Sequence, residues 1–259
     1  MARYCDARRV TAVIATVGRN AARIANLRTL VLALNASSVV SDVLVLWNAA
    51  DAPPRNLTSY LTDARPGRKV GLETVRTSSL NHRYAIPLRR SNACSFFVFD
   101  DDHVVQKDGA LGKMMSVWQT SRPSPSLLGF KVRGNVNNSY RTDKGMNYVL
   151  PPFLVSRRLC DVYSSRHFAE LRRYVDEQEA HCDDLLLNLV ASQEKLVVQR
   201  VLLTGIAGVR LGDGISDQSN RTVLRTECMR HLEAKVAALG GGVFPPYVVD
   251  GEWKAPMGP

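Results

Sequence analysis

Short uncharged runs alternate with longer amphipathic stretches along the first half of the chain. "VTAVIATV" (10–17) is β-branched and free of charge, which predicts a buried strand. Ile24, Leu27, Leu30, Val31 and Leu34 recur at helical spacing and predict a helix over 20–35. "SDVLVLWN" (41–48) reads as a second buried strand, and "DAPPRN" then breaks the chain. "KVGLETVRT" is a third extended segment, and 81–92 predicts a helix interrupted by Pro87. "SFFVFD" is a fourth strand, followed by a helical "DGALGKMMSVWQTS". This β-α-β-β-α-β order predicts an α/β unit with a mostly parallel sheet.

The second half is less regular. "SLLGFKVR" predicts a strand, "GNVNNSYRTDKGMN" a polar loop and "YVLPPFLVS" a short apolar segment. Residues 157–193 predict two or three helices, with Leu185, Leu186, Leu189 and Val190 facing a core. "KLVVQRVLLTG" predicts another strand and "RTVLRTECMRHLEAKVAAL" an amphipathic helix. No internal repeat occurs. The absence of GxGxxG, Walker A and HExxH patterns argues against dinucleotide enzymes, P-loop ATPases and zincins.

The 259 residues, 45% hydrophobic, suffice for one sizeable core or two lobes packed as one unit. A net charge of +10 suits a phosphate-bearing ligand. No Lys/Arg block has the form of a nucleic-acid tail, so no nucleic-acid partner is expected. No run of about 18 apolar residues exists, so no membrane span is expected. Cys5, Cys94, Cys160, Cys182 and Cys228 show no CxxC spacing, and their odd number leaves at least one thiol unpaired.

The candidate chemistry lies in "SFFVFDDDHVV". An apolar strand ends in Asp100, Asp101 and Asp102, with no basic neighbour in the run. Side chains alternate along an extended backbone, so Asp100 and Asp102 point one way and Asp101 the other. Ligands in α/β sheets sit at the carboxyl ends of strands. Two carboxylates converging there make a hard-oxygen site for Mn²⁺ or Mg²⁺, with positions left for phosphate and water. The competing reading is a solvated, Asp-rich turn. A second acidic pair, Asp183 and Asp184, opens an apolar helix either as dipole-favoured charge or as a reactive carboxylate. His103, next to the triplet, reads as a solvated loop residue with approach to a metal as the alternative, Trp47 and Trp118 as core, and Trp253 as part of a polar, disordered tail with acceptor stacking as the alternative.

Taken in order, "VVSDVLVLWN", "FFVFDDD", "SVWQTS…LLGFKVR", "HCDDLLLN" and "RTEC" resemble the exostosin glycosyltransferase domain, glycosyltransferase family 64, from about Val10 to Tyr247. The resemblance implies a GT-A type α/β fold, with a Rossmann-like nucleotide-sugar half and a mixed-sheet acceptor half. It divides a single domain, 1–259, into a donor-binding half (about 10–105), an acceptor and catalytic half (about 106–247) and a tail (248–259). It also implies Mn²⁺, with Mg²⁺ as the alternative, and retention of anomeric configuration.

Carried over by position, Asp102 resembles the metal ligand, with Asp100 beside it. Asp100 and Asp101 resemble partners toward the ribose and sugar. Arg19, Asn48 and Arg83 resemble donor contacts, Asp184 the catalytic-site carboxylate, and Arg225 the arginine beside the diphosphate leaving group. From the residues alone, Arg225 reads as a surface arginine of an amphipathic helix. The resemblance implies a Cys182–Cys228 disulfide.

Ala15 stands where relatives carry a polar uracil-facing residue, and Ser78 replaces a donor-side asparagine. "VLPPFLVS" replaces a small-residue segment near the acceptor. The implied reaction moves a sugar, N-acetylhexosamine first, from a UDP-sugar to a glycan or glycolipid, and leaves a homodimer open. The rival readings are a metal-dependent nucleotidyltransferase and a catalytically degenerate glycan-binding protein. A disulfide implies a Golgi or ER lumen, with an anchor outside this chain. The bare N-terminus favours the cytoplasm.

Overall fold

The structure is a computed structural model that describes residues 5–18, 20–62, 69–106, 109–137, 139–141, 148–178, 182–211, 220–240 and 249–251. Its first half contains β1 (Asp6–Thr16), α1 (Ala21–Ala36), β2 (Asp42–Trp47), α2 (Arg55–Thr62), β3 (Lys69–Thr74), α3 (His82–Arg90) and β4 (Ala93–Asp100). Then come β5 (His103–Val105), α4 (Ala110–Thr120), β6 (Leu127–Val136), β7 (Ser139–Arg141) and β8 (Tyr148–Ser156). The remainder is α5 (Arg157–Tyr163), a 3₁₀ turn (Arg166–Phe168), α6 (Ala169–Glu177), α7 (Asp183–Gln193), β9 (Val198–Val201), β10 (Ile206–Gly208), α8 (Arg221–Ala238) and β11 (Val249–Gly251).

One sheet runs β11-β9-β6-β8-β4-β1-β2-β3, with β7 beside β6. Along that order only β8 is antiparallel to its neighbours. The carboxyl ends of β1, β2, β3, β4 and β6 therefore share one edge of the sheet. Alternating strand residues feed two apolar clusters: Val13 and Leu44 enter one, Val10, Ala12, Ile14 and Val43 the other.

Several expectations are corrected. The helix over 81–92 is continuous as α3, with Pro87 inside it and buried. One lost backbone donor is outweighed by a core face of Tyr84, Ile86 and Pro87. α2 follows the "DAPPRN" break, β7 lies within the expected polar loop, and β11 lies within the expected tail. "YVLPPFLVS" is β8, central in the sheet.

The prolines of β8 shape the sheet locally. Gly129 pairs with Phe153 and Lys131 with Leu150, so Pro151 and Pro152 together oppose Phe130. Prolines cannot donate to the ladder, and an extra residue makes a bulge that re-aims side chains. The facing switches there: Phe130 packs on one cluster and Val132 on the other.

Two disulfides join distant elements. Cys5 bonds Cys94 at the start of β4, and Cys182 before α7 bonds Cys228 in α8. Cys160 is a buried free thiol, which accounts for the odd count.

Candidate active site

The aspartate triplet sits where β4 turns into β5. Asp101 points inward and is 3% exposed. Thr16 donates Oγ1–H to Asp101 Oδ2 at 2.6 Å, and Arg23 of α1 pairs with Oδ1. Burial pushes the Asp101 carboxyl up to about 6, against the pull of Thr16 and Arg23. Asn26 Nδ2 donates to the carbonyls of Asp101 and His103, at 2.7 and 3.0 Å, and so fastens the turn to α1.

Asp100 and Asp102 are partly exposed and lie with His103 in one cluster, their ligand atoms within 4.8 Å of one another. His103 is buried, not solvated, because β5 pairs with β10. Its Nδ1 lies 3.1 Å from the Asp100 carbonyl oxygen and 3.4 Å from Asp102 Oδ1. Burial and the neighbouring Asp100 push the Asp102 carboxyl up. For Asp100, burial is outweighed by Arg83, His103 and Lys131, and its carboxyl is held down. A carboxylate whose ionisation is opposed by its neighbour, beside a second carboxylate and an imidazole, is a donor set that a divalent cation would relieve. The residues present therefore fit a divalent ion.

Arg83 of α3 links this cluster to α7. Its Nη1 donates to Asp100 Oδ1 at 2.7 Å, and its Nε lies 2.9 Å from Asp183 Oδ2. Tyr84 donates its hydroxyl to the same Asp183 oxygen at 2.8 Å. Asp183 is fully buried, and burial pushes its carboxyl up to about 6 despite Arg83. Asp184 accepts from Arg225 Nη2 at 2.5 Å and from the Leu185 amide at 2.8 Å.

Arg225 is 1% exposed, which corrects the surface reading of its helix position. It stacks over the Tyr140 ring at 4.8 Å. Burial opposes its charge, yet Asp184 and Tyr140 hold the guanidinium firmly protonated. Asn188 fixes α7 on β8 by exchanging two hydrogen bonds of 2.9 Å with the Val149 backbone.

The other expected residues are placed as follows. Asn48 follows β2, is 1% exposed, and neither amide atom has a hydrogen-bond partner among the described residues. A buried amide without a partner is costly and suits a ligand. Ser78 is exposed in the loop before α3. Arg19 lies outside the described residues. Next to it, Gly18 adopts φ +54, and a Cβ there would meet the Trp47 indole at 1.8 Å. Trp47 is core, and Trp118 packs against the same cluster. Trp253 lies outside the described residues.

Two basic residues were missed by sequence reasoning. Lys131 lies just past the point of β6 that faces the β8 bulge, and Arg221 opens α8 one turn before Arg225. The "RTVLR" spacing signals that Arg221 and Arg225 share a helix face. Nothing local signals Lys131.

A cavity of about 720 Å³ lies at the other end of the sheet, among Arg9, Thr11, Asp42, Glu73, Arg90 and Arg157. Three of its arginines are engaged: Arg9 with Asp42, Arg90 with Glu73, and Arg157 with the carbonyls of Ala93, Leu88 and Ser91. It is remote from the strand ends that carry the acidic cluster.

The model of the glycosyl transferase family 64 domain matches residues 10–239. The chain belongs to glycosyltransferase family 64. Glycosyltransferase family protein 64 C3 of Arabidopsis thaliana is 30% identical over 185 residues, 66% of this chain. The chain spans about half the length of that curated relative, 55%. Among solved structures, S. aureus TarS 1-349 in complex with UDP-GlcNAc aligns at a TM-score of 0.60 and 13% identity. The alignment covers 92% of this chain and 68% of that one, and the fold is of the GT-A type. 4-Diphosphocytidyl-2C-methyl-D-erythritol synthase aligns at a TM-score of only 0.43 and 12% identity, over 86% of this chain and 99% of that one. That likeness bears no weight.

Proposed function

We propose that this family 64 chain is a metal-dependent, retaining glycosyltransferase of the exostosin type. It transfers a sugar, N-acetylhexosamine first, from a UDP-sugar to a glycan or glycolipid acceptor. The observation that carries the reading is the constellation of Asp100, Asp102, Arg83, Asp183, Asp184 and Arg225, drawn from four elements to one edge of the sheet. The UDP-GlcNAc named for the S. aureus protein is a donor of the proposed class.

Asp102 and Asp100 would hold Mn²⁺, with Mg²⁺ as the alternative. A bound divalent ion neutralises charge that develops on the diphosphate as the sugar leaves. Arg225 supplies a fixed guanidinium for the same charge, already oriented by Asp184 and Tyr140. Preorganised charge needs no rearrangement at the moment of reaction. Asp184, 6% exposed at the start of α7, is the catalytic-site carboxylate in this reading. Arg83 keeps Asp100 turned toward the cleft. Asn48 offers an amide for the base of the nucleotide, and Arg19, Ser78 and Asp101 complete the donor side directly or through packing. In this reading residues up to about 105 serve the donor and those beyond serve the acceptor.

The two disulfides favour an oxidising compartment, the Golgi or ER lumen. No helix among the described residues is long and apolar enough to cross a membrane.

The experiment is turnover of UDP-sugars with and without Mn²⁺, in the presence of oligosaccharide acceptors. Metal-dependent UDP release with a glycosylated product supports the reading. Pyrophosphate release would mean nucleotidyl transfer, and binding without turnover would mean a glycan-binding protein.

A further inference from the structure

Lys131 and Asp100 are level in the sheet. Val98 of β4 and Gly129 of β6 both pair with Phe153 of β8, and each charged residue lies two positions further on. β6 runs parallel to β4, one strand removed, so both point to the same edge. The bulge at Pro151 and Pro152 breaks the alternation of β6 just where Lys131 leaves it. Arg221 reaches the same place from α8, on the face that carries Arg225. Charge interactions link Lys131 to Asp100, Asp102 and Arg221, and Arg221 to Asp184, Asp100 and Arg225.

Lys131 and Arg221 are both partly exposed. Among the described residues, neither makes an ion pair or hydrogen bond, and Arg221 Nε is buried without a partner. Burial lowers the Lys131 ammonium, with Arg133 and Arg221 adding to that effect. Burial and Arg225 lower the Arg221 guanidinium. Like charges brought together at a partly covered site attract an anion between them. Asp100 and Asp102 offset them in the free protein, and a divalent ion on those carboxylates would remove that offset. Arg225 is already committed to Asp184.

We infer that Lys131 and Arg221 form, beside Arg225, a basic wall that grips the diphosphate of the nucleotide donor and holds it as the sugar leaves. The inference rests on the donor chemistry proposed above and adds two residues to it. When the anomeric C–O bond breaks, its electron pair goes to the terminal phosphate oxygen, and the acceptor oxygen bonds to the sugar carbon. The acceptor proton ends on the diphosphate or on water. Lys131 and Arg221 transfer no proton and act by charge alone. Lys131 acts from the side of the aspartate cluster and Arg221 from the side of Asp184.

The test is calorimetric titration of UDP, GDP and UMP, with Mn²⁺ present, into the wild type, Lys131→Met, Arg221→Gln and Arg221→Lys. Each neutral variant is expected to lose about tenfold to a hundredfold in diphosphate affinity, the scale of a charge-assisted contact. UMP affinity should change much less, and Arg221→Lys should recover part of the loss. Thermal unfolding without ligand should change little, because both side chains are partly exposed and neither makes an ion pair or hydrogen bond among the described residues. Unchanged diphosphate affinity in both neutral variants would overturn the inference and leave the transferase reading standing. Equal losses for UMP and the diphosphates, or a clear drop in melting temperature, would mean structural roles and overturn it too. A wild type that binds no nucleotide would overturn the donor reading and the inference with it.

Discussion

Arg83 holds Asp100 and Asp183 at once, through Nη1 at 2.7 Å and Nε at 2.9 Å, although the two carboxylates come from different halves of the chain. The end of β4 and the start of α7 are therefore set relative to each other by one planar side chain. Arginine suits this because its fork presents several donors in fixed geometry.

Asp102→Ala should remove the metal-dependent part of UDP binding and leave the fold intact. Asp102 is partly exposed, and burial and the neighbouring Asp100 both oppose its charge, so its loss costs little stability. Metal-stimulated turnover should fall on the order of a hundredfold or more. Titration of UDP with and without Mn²⁺ checks this. Equal metal enhancement in mutant and wild type would remove Asp102 from the metal site.

Asp184→Asn and Arg225→Lys should lower turnover far more than donor affinity, because transition-state-specific groups behave that way. Truncation is a different matter. Arg225→Ala leaves Asp184 buried with its guanidinium partner gone, and Asp184→Ala leaves Arg225 charged at 1% exposure. Removing one member of such a pair costs about 3–5 kcal/mol, which thermal unfolding would record. A truncation that neither unfolds early nor slows turnover would rule out both roles.

The Cys182–Cys228 disulfide should survive peptide mapping under non-reducing conditions in protein made through a secretory route. It closes a loop of 46 residues in sequence separation. Cys182→Ser with Cys228→Ser should cost about 2–4 kcal/mol. Turnover should suffer as well, since the bond lies beside Asp184 in α7 and near Arg225 in α8. Two free thiols in such material would remove the compartment argument.

Asp183 should make part of the stability depend on pH. Its carboxyl is raised to about 6 by burial, above its value in an unfolded chain, so the native state binds more protons between roughly pH 4 and pH 6. Its contribution is greatest below that window and declines as pH rises through it, levelling off above about pH 6. The stability difference between wild type and Asp183→Asn should therefore shrink with rising pH across this range. Unfolding curves at several pH values measure it. A difference that grows instead would mean that Arg83 outweighs burial.

The legible parts of the site were those written locally. Alternation along β4 separates Asp101 from Asp100 and Asp102, and the structure has Asp101 turned inward onto Thr16 and Arg23. The helix spacing of α1 places Leu27, Leu30, Val31 and Leu34 in the core. What sequence could not supply was pairing across long separations. Arg83 with Asp183 depends on where α3 and α7 meet, and Cys5 with Cys94 on the register of β1 against β4. Lys131 was hidden for a related reason, since its direction is set by a bulge at two prolines of another strand. The solvated reading of His103 fails because its cover, β10, comes from a segment about a hundred residues away, while its place beside the aspartates follows from sequence adjacency. Very short strands such as β5, β7 and β10 carry too few residues to show a period.

The contact of Gly18 with the Trp47 indole limits what mutation can explore. A side chain of any kind at position 18 would have to displace a ring that is 3% exposed and anchored through its Nε1 to the Asp51 carbonyl at 2.8 Å. The φ of +54 penalises every residue but glycine even if the ring gave way. The loop leading to Arg19 thus has a vertex closed to sequence drift. Under the donor reading proposed above, variation of nucleotide preference would have to arise at its flanks, at Ala15 or beyond Asn20, while Gly18 stays fixed.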